Sequence, residues 1–405
     1  MNTGRKTILL FDTGKEWGGG TNSMIELLKR IDRKRFSVVC CFYTDYRRGA
    51  NGPLLSEELA RIGIPLVVLR PPRQPLWAKI TKELVRGLLR SWPVWRRQAI
   101  FRIDKRWRIM PMAERLAELL RIGRFDQLYM NNQPSSNLEG YLAADLAGLP
   151  VVQHCRIETS LNPTEVAITN HNARRIICVS QGVAQSLRDQ GVDDHLLVVV
   201  PNGIDIHQAL PSPQRSEWMS TSQLIVGTVG QLVPRKSVAD LLGAIALIRD
   251  EDGPRVDLLI VGEGPEAANL RALASRLGIS EQTHFVGFQR DPLPWIAAMD
   301  IFVLASHREG LPRVILEAML LAKPVIAARA VGSSEVVADK VTGLLYPHGD
   351  VRSLANAIMQ LYRNPALRAQ MGAAGRERVS QTYSIEQYVE GVQNCLWEAA
   401  CSGSS

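Results

Sequence analysis

The sequence predicts an α/β protein made of two doubly wound domains. Three observations carry that expectation. Short runs rich in Val, Ile and Leu alternate with helix-length connections throughout the 405 residues. Continuous apolar strands joined in this way belong to parallel sheets covered on both faces. The alternation breaks once, after Pro201-Asn202-Gly203-Ile204-Asp205, where Pro211-Ser212-Pro213 and a Ser/Thr cluster read as a linker. The length is also sufficient for two full cores.

The strands of the first half are read at Thr7–Phe11, Ser37–Tyr43, Pro65–Leu69, Phe125–Met130, Pro150–Cys155, Arg175–Val179 and Leu196–Val200. Those of the second half are Leu224–Val229, Val256–Val261, His284–Phe288, Ile301–Ala305, Pro324–Ala328 and Gly343–Tyr346. The expected boundaries are 1–205 for a first domain, 206–384 for a second, and 385–405 for a C-terminal helix and tail. The helix is read over Ile385 to Ala400 and the final Cys-Ser-Gly-Ser-Ser as disordered.

Composition narrows the class. With 46% hydrophobic and 22% charged residues the chain reads as an ordinary soluble globular protein. No apolar run approaches the ~18 residues of a membrane span. The run Thr7–Phe11 is too short for a signal-peptide core, so a cytoplasmic location is expected. Cys40, Cys41, Cys155, Cys178, Cys395 and Cys401 show no C-x-x-C spacing, and four of them accompany strand runs. Buried reduced thiols follow.

The stretch Glu309-Gly310-Leu311-Pro312-Arg313-Val314-Ile315-Leu316-Glu317 is the most informative in the chain. Gly-Leu-Pro is a loop entering a helix, where the missing N–H of proline costs nothing. From Val314 to Leu321 that helix is apolar except for Glu317. A helix apolar all round is buried, and a buried carboxylate needs a partner. A helix N-terminus suits a phosphate, and a ribose hydroxyl beside it would satisfy Glu317. An ion pair with a distant Arg would satisfy it equally.

In parallel sheets ligands bind beyond the carboxyl ends of the strands. Gly18-Gly19-Gly20 follows the first strand and precedes a helix over Asn22–Arg30, as a phosphate loop or an ordinary glycine turn. His154 lies near the end of the strand Pro150–Cys155, as a functional or a structural histidine. Arg235-Lys236 follows Gly230-Gln231-Leu232, able to neutralise a diphosphate or to sit in a solvated loop. Gly262-Glu263-Gly264-Pro265 is a tight turn in either reading.

Taken in order, these segments resemble glycosyltransferase family 4, whose GT-B fold implies two Rossmann-like domains facing a cleft, 1–205 on the acceptor side and 206–384 on the nucleotide-sugar side, with the C-terminal helix crossing back to the first domain. The resemblance is carried by Val179-Ser180-Gln181, Val200 to Asp205, Gly230 to Lys236, Ile260 to Pro265, Phe285 to Phe288 and the Glu309/Glu317 pair. Ala318-Met319, Pro324-Val325-Ile326, Glu335 and Thr342-Gly343-Leu344-Leu345 complete it. It implies transfer of a sugar from a nucleotide sugar with retention of anomeric configuration, without metal or cofactor. It also implies roles by position. Glu317 holds the donor ribose, and Glu309 contacts the donor sugar. Amides of Gly310, Leu311 and Arg313 face phosphate and sugar. Lys236, with Arg235, offsets charge on the departing diphosphate, and Gly18, Gly19 and Gly20 lie against it from across the cleft. Gly262 belongs to the donor loops, and His154 projects towards the sugar. Glu309, His154 and Lys236 are thus the catalytic candidates.

The sequence departs from the family pattern at Gln231, Ser237 and Lys323, where Arg, Gly and a small residue are usual. Asp250-Glu251-Asp252 spells a metal-binding Asp-x-Asp, but its place at a helix end before Gly253-Pro254 reads as a solvated turn.

The charge of +8 is local. Between Leu76 and Met110 lie ten Lys or Arg and two acids, so the rest of the chain balances. From Trp77 to Trp92, one helix at 3.6 residues per turn puts Lys79, Lys82, Arg86 and Arg90 on one side. Trp77, Ile80, Leu84, Leu88 and Trp92 fall on the other. Such a helix lies in an anionic membrane interface, or packs on its own domain with a charged outer face. Nothing else favours nucleic acid. The expected activity is therefore transfer to a cell-surface glycan or lipid-linked acceptor, as in polysaccharide or lipopolysaccharide biosynthesis, at the inner face of the cytoplasmic membrane. The alternatives are a soluble transferase or phosphorolytic relative, or a silent nucleotide-sugar-binding scaffold.

Overall fold

The computed structural model describes residues 4–49, 52–214, 216–220, 224–251 and 253–401. Two all-parallel sheets form. The first contains β1 (Lys6–Asp12), β2 (Phe36–Phe42), β3 (Leu66–Val68), β4 (Gln127–Met130), β5 (Val151–Cys155), β6 (Ala173–Cys178) and β7 (Leu197–Val199). The second contains β8 (Leu224–Val229), β9 (Val256–Val261), β10 (Thr283–Gly287), β11 (Ile301–Leu304), β12 (Val325–Ala328) and β13 (Gly343–Tyr346). Their orders are β3-β2-β1-β4-β5-β6-β7 and β10-β9-β8-β11-β12-β13. Every strand read from the apolar runs is present.

Strand order reverses between β1 and β4 in one sheet and between β8 and β11 in the other. These switch points open crevices at the carboxyl edges, where ligands collect. The two edges face one another. Gln231 Nε2 donates to Glu16 Oε2 at 2.9 Å, and Glu335 accepts from the amides of Gln181 and Gly182 at 3.0 and 3.3 Å.

The chain crosses between the domains twice, and the crossings touch. Ile204 bridges Ser384, and a Cβ on Gly203 would lie 2.3 Å from the Ser384 carbonyl oxygen. Only glycine permits that approach. The last helix, Ile385–Cys401, then returns to the first domain as expected, burying Tyr388, Val392 and Leu396 beside Ile8, Leu10, Val152 and Ile177. Each such side chain contributes about 1.5–3 kcal/mol on leaving water. Cys401, read as the start of a disordered tail, instead ends this helix, and residues 402–405 of that tail lie outside the described residues. Five cysteines are buried and Cys401 is exposed; all are free thiols.

The basic segment departs from the sequence reading. Its helix ends at Leu88 rather than Trp92, and a second begins at Pro93. Proline disfavours a helical conformation in the residue before it, and Trp92 has φ −122° and ψ 77°. The packed face is small, with Ala78 buried. Lys82 turns inward and pairs with Asp104 at 2.9 Å, so it does not stand with the surface cations. The apolar stripe points to solvent: Leu76, Trp77, Ile80, Leu84, Leu88, Trp92 and Trp95 are all more than half exposed. A helix packed on its own domain with only a charged outer face is not what forms.

Candidate active site

Glu309 and the Arg235-Lys236 pair meet at the switch point of the second sheet. Both cations follow β8, in a short turn over Pro234–Lys236, and Glu309 follows β11. Lys236 Nζ lies 2.7 Å and Arg235 Nη1 3.0 Å from the same Glu309 oxygen. Burial pushes the Glu309 carboxyl up, but the charges of Lys236 and Arg235 outweigh it and hold the group below its ordinary value. Two cations thus converge on one buried anion, where a bound phosphate would compete for the same charges.

Beyond Glu309 the loop is pressed against the first domain. A Cβ on Gly310 would sit 2.0 Å from the carbonyl oxygen of Arg156, and Asn202 Nδ2 donates to the Leu311 carbonyl at 2.9 Å. The amides of Gly310, Leu311 and Arg313 have no acceptor among the described residues. Pro312 is the N-cap of the helix Arg313–Leu320, one position before the first turn.

Glu317 is half-buried rather than enclosed. Arg313, one turn earlier, stands 3.8 Å from its carboxylate, so its partner in the protein is a neighbour and not a distant Arg. Burial raises the Glu317 pKa, with Asp291 and Glu26 adding to the rise against Arg313 and Arg48. Those charges place it in the cleft.

Across the cleft, Gly18 is the N-cap of the helix Gly19–Arg30. A Cβ on Gly18 or Gly19 would meet nothing within 4 Å, and one on Gly20 only Arg156 Cγ at 3.7 Å. None of the three has a positive φ. Neither backbone strain nor packing calls for glycine here, and the space in front of the helix is open. Gly262 differs. It has φ +142°, and its Cβ would fall 1.9 Å from the Gly230 carbonyl oxygen. Close approach of strand ends explains that glycine without any ligand.

The placement of His154 corrects the expectation that it projects towards the sugar. Its ring is fully buried, with Nδ1 2.7 Å from Tyr129 Oη and Tyr388 on another side. Alternation along β5 turns it to the face covered by the last helix. Burial, then Arg156, drives its pKa well below the ordinary histidine value, so it is neutral.

Family models match both halves of the chain. Residues 17–208 match Glycosyltransferase Family 4, and residues 214–378 match Glycosyl transferases group 1. The chain belongs to glycosyltransferase family 4. It is similar to the lipopolysaccharide core biosynthesis glycosyltransferase LpsE of Rhizobium meliloti, with 31% identity over 56% of this chain and 64% of that one. It is also similar to 2-deoxystreptamine glucosyltransferase of Streptomyces kanamyceticus, with 25% identity over 82% and 93%. The matches to LpsE and LpsD of Rhizobium meliloti span 64% and 60% of those relatives' lengths. Among solved structures, Anabaena Alr3699/HepE in complex with UDP-glucose superposes with a TM-score of 0.75 at 23% identity, over 97% of this chain and 99% of that one. The fold is GT-B.

Against the family pattern, the structure accounts for one departure and redirects another. Ser237 adopts the left-handed φ of +48° that glycine would take, and its Oγ lies 3.0 Å from His348 Nε2. Gln231 reaches across the cleft to Glu16. In the Asp250-Glu251-Asp252 turn, Glu251 pairs with Arg352 at 2.6 Å, while Asp252 lies outside the described residues. Among the described residues no group of three or more His, Cys, Asp or Glu is arranged to hold a metal.

Sequence reasoning missed a polar cluster at the first sheet's switch point: Asp12, Asn131 and Arg156. The signal was present, because each is a polar residue at the end of an apolar strand run.

Proposed function

We propose that this family 4 enzyme moves a sugar from a nucleotide sugar to a cell-surface glycan or lipid-linked acceptor, with retention of anomeric configuration. The observation that carries the reading is Glu309 held between Lys236 and Arg235, opposite the open loop Gly18–Gly20. The acceptor oxygen bonds to the anomeric carbon as the bond to the diphosphate breaks, and the electron pair leaves with the diphosphate. The acceptor proton departs to that leaving group or to water. Lys236, Arg235 and the free amides of Gly310 and Leu311 stabilise the growing charge, the largest kind of catalytic contribution. Glu317 accepts from the ribose. Supplying a panel that includes UDP-glucose and GDP-mannose and measuring nucleoside diphosphate release tests the reading; no release from any donor refutes it.

The exposed stripe favours a membrane-bound acceptor over a soluble one. Among the described residues no helix is long and apolar enough to cross a membrane, so attachment is peripheral in this reading. Each surface cation contributes about 1 kcal/mol at an anionic surface, and each tryptophan or leucine that enters the interface adds to that. We expect salt-sensitive binding to vesicles containing anionic lipid. Release should follow Lys79, Arg86 and Arg90 changed together to Gln, or Trp92 and Trp95 changed to Ser. Wild-type protein that stays unbound at low salt would make the acceptor soluble.

A further inference from the structure

A half-buried guanidinium at the floor of the cleft makes none of the donor contacts assigned so far. Arg156 follows β5, and every partner that accepts from it is neutral. Its Nε and Nη2 donate to Asn131 Oδ1 at 3.0 and 2.7 Å, its Nη1 to Asn202 Oδ1 at 3.0 Å, and its Nη2 also to Tyr388 Oη at 3.1 Å. Asn131 in turn donates to Asp12 Oδ2 at 2.8 Å. These partners come from separate parts of the chain: the end of β4, the first interdomain crossing and the returning C-terminal helix. An arginine can hold several oxygens at once because its fork is planar and rigid.

The far end of the network lies in the donor-side domain. The amide of Asn202 whose oxygen accepts from Arg156 donates through Nδ2 to the Leu311 carbonyl at 2.9 Å. The Arg156 backbone itself abuts Gly310. One residue therefore touches the donor loop by its main chain and grips it, through Asn202, by its side chain.

We propose that Arg156 is a positioning residue for sugar transfer, holding the Gly310–Leu311 loop in register with the acceptor-side floor through Asn202. The inference rests on the transferase reading. Loop and floor belong to different domains, so a small slip between them separates donor from acceptor without emptying either subsite. A misplacement of about 1 Å costs up to about a hundredfold in rate.

Asn202→Asp separates this role from simple packing. It keeps an oxygen for Arg156 but loses the N–H that Leu311 accepts. The expected result is a kcat lower by about tenfold or more, with unchanged melting temperature and unchanged affinity for UDP or GDP, whichever the wild type binds. Arg156→Lys should lower kcat similarly, and the double variant should be no worse than the poorer single one, since both act through one contact. Turnover of Asn202→Asp equal to wild type overturns the proposal. So does a loss that merely follows a fall in melting temperature or nucleotide affinity. Wild-type protein inert towards every donor would instead end the transferase reading, and this inference with it.

Discussion

Replacing Gly310 with Ala tests how tightly the donor loop is seated on the acceptor-side domain. The new Cβ would lie 2.0 Å from the Arg156 carbonyl oxygen, 2.8 Å from its carbonyl carbon and 3.0 Å from Ile157 Cα. All three are main-chain atoms, so no side chain can swing aside. Restoring ordinary contact near 3.4 Å requires the loop and the end of β5 to part by about 1.4 Å. Overpacking of this kind costs about 1–3 kcal/mol, small against two intact sheets, so the protein should still fold. Turnover should fall about a hundredfold, the penalty for displacing reacting groups by an ångström or so. Nucleoside diphosphate affinity should change much less, because Lys236 and Arg235 stay on their own domain. Steady-state kinetics with titration of UDP and GDP measures both. Wild-type turnover in Gly310→Ala would refute the seating of this loop as a condition for transfer.

Four further outcomes follow from the structure. Glu317→Ala should weaken donor binding by roughly 1.5–3 kcal/mol, the worth of a hydrogen bond to a charged group, whereas Lys236→Ala should lower kcat more than it raises KM, because charge on the leaving diphosphate grows towards the transition state; normal donor affinity in the first, or a changed KM alone in the second, removes that role. Activity should persist in excess EDTA, since cationic side chains already stand at the expected phosphate position; complete, metal-reversible loss would contradict this. Burial, opposed by hydrogen bonds from Asn131 and Gly14 and by the Arg156 charge, lifts the Asp12 carboxyl from 3.8 to about 6. Below about pH 3 it is protonated in both states, and as pH rises from there towards 6 the unfolded chain ionises first, so stability falls by up to roughly 3 kcal/mol. Urea unfolding of wild type against Asp12→Ala at pH 4 and pH 7 should show that loss in wild type alone, and stability rising with pH relative to Asp12→Ala would reverse the sign.

The architecture was legible because buried parallel strands are written as unbroken apolar runs, and each run from Thr7–Phe11 to Gly343–Tyr346 became a strand within a residue or two. The meeting of Glu309 with Lys236 was legible only through resemblance, since 73 residues separate them and no local pattern links β8 to β11. His154 was misplaced because sequence gives the position of a residue on a strand but not which face a helix from the far end of the chain will cover. Lys82 was misplaced for a related reason: helical periodicity put it among the cations, while Asp104, on the following helix, draws it inward. The Arg156 network escaped because its members come from distant parts of the chain: Asp12, Asn131 and Arg156 each show as a polar residue ending an apolar run, but no local pattern brings them together.

A crystal structure of the protein with a bound nucleoside diphosphate tests the central claim most directly. The account places the diphosphate between the Gly18–Gly20 loop and the Arg235-Lys236 pair, with Lys236 turned from Glu309 to a phosphate oxygen and the ribose against Glu317. A nucleotide bound elsewhere, with Lys236 and Arg235 still on Glu309 and the glycine loop empty, would contradict it.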